Sequence, residues 1–63
     1  MLKFRYDLVC RVDNDRPARF YAGSYIVTSD YVLEIDALTG LEVFVLNYNG
    51  KRIYIPTEAV EEL

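Results

Sequence analysis

Sixty-three residues with one cysteine and no histidine make one small domain that neither a disulfide nor a Cys/His zinc site can staple. Seven basic and ten acidic side chains give a net charge of −3, which disfavours nucleic acid, whose affinity rests on phosphate neutralisation. No apolar run approaches the roughly 20 residues of a membrane-spanning helix and no signal-peptide pattern opens the chain, so a soluble, cytoplasmic protein is expected.

A domain of this size buries only about 60% of its unfolded surface. Its stability must come from packing, supplemented by self-association or a partner. Six tyrosines and three phenylalanines are available to fill a compact core. The charge is uneven: residues 1–22 hold five basic and three acidic side chains, whereas residues 23–63 hold two basic and seven acidic. The two halves would offset each other if they lie side by side.

From Leu2 to Val12 the even positions Leu2, Phe4, Tyr6, Leu8, Cys10 and Val12 are apolar, with Lys3, Arg5, Asp7 and Arg11 between them. Period two predicts a half-buried strand with the even positions inward. Cys10 then reads as a core residue, because burial raises a thiol pKa and no histidine is present to activate it. Asp13-Asn14-Asp15-Arg16-Pro17 is a run of turn formers. It lacks the glycine and glutamate that a calcium loop needs at its sixth and twelfth positions, occupied here by Ala18 and Ser24, and no metal is expected.

Phe20 to Thr28 is the second predicted strand, with Gly23 marking a bulge or a bend where it rounds a corner. A Ser29-Asp30 turn leads into a third strand, Tyr31 to Ala37. It would pair Ile26 with Leu33 and Val27 with Val32, turning Leu33, Ile35 and Ala37 inward and Glu34 and Asp36 outward. Thr39-Gly40 is a further turn. From Val43 to Ile55, two β-branched and aromatic runs flank Asn49-Gly50, the favoured pair for a two-residue type I′ turn. The register follows: Tyr48 faces Lys51, Asn47 Arg52, Leu46 Ile53, Val45 Tyr54, and Phe44 Ile55. Phe44, Leu46, Ile53 and Ile55 form the inner face, and Val45, Asn47, Arg52 and Tyr54 the outer. Pro56 ends the ladder, and residues 57–63 suit a short 3₁₀ or α turn that returns Val60 and Leu63 to the sheet.

Five short strands in this length imply an all-β chain curled into a small, five-stranded, partly open barrel. The run Ile53-Tyr54-Ile55-Pro56-Thr57-Glu58-Ala59-Val60 resembles the ending of SH3 domains, in which a strand closes on proline and a 3₁₀ turn leads to a last valine. Phe4-Arg5-Tyr6-Asp7-Leu8 is similar to their opening. The resemblance implies an SH3-like barrel. It does not extend to the groove for PxxP peptides, which needs an aromatic-lined channel, since the chain has no tryptophan and carries Ala59 at an aromatic groove position.

Catalysis is not expected. The chain has no glycine-rich phosphate loop and no nucleophile elbow, and no cofactor is implied. The neighbouring carboxylates Glu34 and Asp36 are better explained as solvated on an outward strand face, or as paired across strands with Lys3, Arg5 or Arg11. A protein–protein interaction module is the expected function, with Tyr25, Val27, Val32, Val45 and Tyr54 as a partner-binding or self-associating surface. The alternative is nucleic-acid binding by Lys3, Arg5, Arg11, Arg16, Arg19 and Tyr21. Size and acidity also suit an accessory or inhibitory protein of a phage or mobile element.

Overall fold

The computed structural model describes residues 1–63 throughout. It contains β1 (Leu2–Phe4), β2 (Leu8–Val12), β3 (Ala18–Phe20), β4 (Tyr25–Ile26), β5 (Tyr31–Ile35), β6 (Glu42–Tyr48), β7 (Lys51–Pro56), a 3₁₀ turn (Thr57–Ala59) and β8 (Val60–Glu62). These make an all-β fold of two antiparallel sheets, ordered β4-β1-β8 and β3-β2-β7-β6-β5. No ladder joins β5 to β4 or to β8. No helix is long and apolar enough to cross a membrane.

Two of the five expected strands are each broken in two, and the breaks coincide. Leu2 lies opposite Ile26 and Leu8 opposite Phe20, six residues on along one arm and six back along the other. The pair is therefore one long hairpin folded over a corner at Arg5–Asp7 and Tyr21–Ser24. Gly23 sits at that corner, as its place in the sequence predicts, at φ +83°. Its N–H donates to the Phe4 carbonyl at 2.8 Å, and the neighbouring Ala22 N–H donates to the Asp7 carboxylate at 2.8 Å. Tyr6, on the outside of the corner, leaves the inward series and is exposed.

On its other side the bent arm is followed by β7, the 3₁₀ turn and β8. Arg11 pairs with Tyr54 and Phe4 with Val60, while the Arg5 N–H donates to the Ala59 carbonyl at 2.8 Å. The bend lets a short chain cover its own apolar face. Leu2, Phe4, Cys10, Phe20, Ile26, Phe44, Leu46, Ile53, Ile55 and Val60 close into one core, with the Phe4 and Phe20 rings stacked at 4.5 Å. Burial pushes the Cys10 thiol up to about 11, which suits a core residue and not a nucleophile.

The β6–β7 hairpin has the expected register at every pair. Asn49 and Gly50 both have positive φ, +53° and +79°, and Asn47 accepts the Gly50 N–H at 3.0 Å. The expected hairpin at Ser29-Asp30 does not form. Neither residue has positive φ, which a two-residue type I′ turn requires at both positions. Residues 27–30 instead carry the chain from one sheet to the other, so Ile26 pairs with Leu2 and Leu33 with Phe44.

Leu33 and Ile35 share the inner face with Phe44, but on an edge strand beyond the covered core. They are 59% and 66% exposed, and Ala37 lies exposed in the following turn. Asp36, expected in solvent, is buried.

Candidate interaction surface

The outer face of the five-stranded sheet carries a row running Val32, Val45, Tyr54, Arg11 across β5, β6, β7 and β2. Its centre is covered. The Arg11 guanidinium lies 3.8 Å from the centre of the Tyr54 ring, a cation–π contact. It donates to Asp36 at 2.8 Å and lies 3.5 Å from the Asp13 carboxylate, which also accepts the Tyr54 hydroxyl at 2.9 Å. The connection from β5 to β6 folds over beside them. Asp36 accepts the Leu38 N–H at 3.0 Å through its side chain and the Gly40 N–H at 2.7 Å through its carbonyl. The Leu38 N–H and then Arg11 hold the Asp36 carboxyl below its ordinary range, and the bond to Asp36 raises Arg11. Of the three cations expected as partners of Glu34 and Asp36, Arg11 pairs with Asp36; Lys3 and Arg5 bridge neither, and Glu34 pairs instead with Arg52 at 3.4 Å.

Under this cover Val45 is 4% exposed and Val43 2%. Val45 points outward as its register requires but does not belong to an exposed patch, because Val32 and Tyr54 flank it. Tyr54 is half-buried beneath Arg11. Tyr25 and Val27 are exposed but follow the three-stranded sheet, with Tyr25 opposite Lys3. The expected five-residue surface is therefore divided, and Val32 is its one exposed member on the larger sheet. Every buried side-chain polar atom has a partner.

The cationic set is divided too. Lys3 lies opposite Glu61, with its ammonium 5.8 Å from the Tyr25 ring. Arg5 shares a groove with Glu42 and Glu62, and Arg11 is held by carboxylates. Arg16, Arg19 and Tyr21 are exposed on the β2–β3 arm.

The exposed apolar surface concentrates instead on β5 and the turn after it: Val32, Leu33, Ile35, Leu38 and Leu41. The uninterrupted run Val43-Phe44-Val45-Leu46 marks a strand buried on both faces, hence a central one, but does not say which strand lies at the edge beside it. β5 is joined to β6 alone, and its side-chain link to the smaller sheet is the Tyr31 hydroxyl donating to Glu62 at 2.9 Å.

The ladder pattern shows which backbone groups point outward. The Asp36 N–H donates to the Leu41 carbonyl, and hydrogen-bonded residues alternate along an antiparallel pair. Val32 and Glu34 therefore bond to β6, while Tyr31, Leu33 and Ile35 direct their N–H and C=O groups away from the sheet. The tight β6–β7 turn requires the same phase, since Tyr48 and Lys51 close it and leave the odd residues of β6 for β5.

The other sheet edges are blunted. β3 has three residues, presents Arg19 and follows Pro17; β4 has two; β8 has three, with Glu61 and Glu62. β5 has five residues and one charge. Comparison of the chain with protein-family models, curated proteins and solved structures finds no match.

Proposed function

We propose that this protein is a non-catalytic protein–protein interaction module that takes an extended segment of its partner as an added strand along β5. The supporting observation is the contrast between edges. Natural sheets protect their edges with short strands, charge or proline, and β5, five residues long with no proline and Glu34 as its single charge, is the least protected edge of the fold. Main-chain hydrogen bonds from Tyr31, Leu33 and Ile35 would supply affinity, and side chains alternating over the inner face would supply selectivity. We also read the architecture as SH3-like. Pro56 at the end of β7, the 3₁₀ turn Thr57–Ala59 and Val60 at the start of β8 support that reading, as does the division into two sheets that share a bent strand.

A random-peptide display library tests the function. Peptides with alternating apolar residues should be enriched on the wild-type protein. They should be lost on Leu33→Pro, which removes an outward N–H without breaking a bond to β6. Circular dichroism confirms that this variant folds. No enrichment, or binders indifferent to a folded Leu33→Pro, would contradict the proposal.

A further inference from the structure

We infer that the segment β5 accepts is β5 of a second copy of this chain, antiparallel, with the two-fold axis passing between the two Leu33 residues. The inference rests on the edge-binding function proposed above and names its partner. Three features of the strand point to it.

The first is hydrogen-bond phase. The outward-directed residues are Tyr31, Leu33 and Ile35, a set symmetric about Leu33. Setting Leu33 opposite Leu33 of the second copy places Tyr31 opposite Ile35, and Ile35 opposite Tyr31. All three are hydrogen-bonded pairs, and such pairs exchange two bonds each. A shift of one residue would set outward groups of one strand against inward groups of the other, and a shift of two would leave two hydrogen-bonded pairs within β5 where this register has three.

The second is side-chain complementarity. The same symmetry sets Leu33 on Leu33 and Tyr31 on Ile35 along the inner face, covering aliphatic surface that is 59% and 66% exposed in the single chain. The open groove beside β5, with Phe44 and Val60 in its lining, would be roofed by the added strand. A closed two-fold pairing of this kind consumes the edge on both copies and cannot grow into a fibre.

The third is charge. Glu34, the one charge on β5, falls opposite Val32 of the second copy and not opposite another acid. It keeps its bond to Arg52 within its own chain. The pairing ends before Asp30 would meet Asp36, which is already countered by Arg11.

A stable interface buries about 800 Å² per partner, roughly a fifth of this chain's 4214 Å². One five-residue edge supplies less, so the association is transient, in the micromolar to millimolar range. Sedimentation near physiological ionic strength, where the Debye length is about 8 Å, reads it across a range of protein concentration.

The wild type should show a reversible monomer–dimer equilibrium. Leu33→Lys and Leu33→Glu should each weaken it by at least about tenfold, since each opposes like charges across the axis. An equimolar mixture of the two should recover a heterodimer, visible by native mass spectrometry. A dimer that survives both substitutions would overturn the inference by locating the interface elsewhere. A wild type that stays monomeric at every concentration would overturn self-pairing. The display experiment then separates the claims: peptide binding that depends on Leu33 retains the edge function with a different partner, and its absence rejects both.

Discussion

Leu46 and Leu33 lie on the same face of the same sheet, yet they are 4% and 59% exposed. Truncating each to alanine removes the same atoms from two different environments. Leu46 packs in the main core, opposite Ile53 on one side and Tyr31 on the other. Leu46→Ala leaves a cavity there and should cost about 2–5 kcal/mol. A domain of 63 residues has about 3–9 kcal/mol in all, so this loss removes a large share of the total stability. At Leu33 less than half the side chain is removed from water, and the aliphatic burial at stake is about 1 kcal/mol or less. Urea unfolding, followed by far-UV circular dichroism and tyrosine fluorescence at low protein concentration, measures both. The midpoint should collapse for Leu46→Ala and move little for Leu33→Ala, with the slope unchanged. Equal losses would refute the placement of Leu33 beyond the covered core.

Val45 points away from that core but is buried. Val45→Ala should cost about 2 kcal/mol, from two buried carbons and a small cavity, where a surface residue would cost almost nothing; the same urea titration reads it. Asp36 has a lowered pKa in the fold, so the stability it contributes is fully present above its unfolded value near 4 and is lost as pH falls through its folded value. The melting temperatures of wild type and Asp36→Asn should therefore differ at pH 6 and converge as pH falls toward 2. The Cys10 thiol, raised to about 11 by burial, should resist alkylation at pH 8 in the folded protein and react on addition of denaturant; rapid labelling without denaturant would contradict its burial.

The β6–β7 hairpin was legible in the sequence because its turn chemistry is local: Asn49 and Gly50 accept positive φ, and the register follows from a two-residue loop. Gly23 likewise marked a corner that the structure contains. The pairing of β5 was not legible. Ser29-Asp30 resembles a turn in composition, but its conformation depends on whether Leu2 or Leu33 claims Ile26, a contact between distant segments. The burial of Asp36 depends in the same way on Arg11 approaching from β2, which alternation along either strand does not specify.

The claimed surface follows in turn from strand order, since Leu33 and Ile35 look like core residues until β5 is known to lie at an edge. The expected group of Tyr25, Val27, Val32, Val45 and Tyr54 was assembled from outward positions without that order. It mixed residues of two sheets with one that its neighbours cover.

The most direct test of the open edge is residue-resolved amide hydrogen exchange along β5 in dilute protein. The Val32 and Glu34 amides, bonded to β6, should be protected, and the Leu33 and Ile35 amides should exchange far faster. Raising the protein concentration should slow Leu33 and Ile35 selectively as the edge becomes paired. Equal protection of all four amides in dilute protein would mean that β5 is already paired on both sides, and the edge would not be free to bind anything.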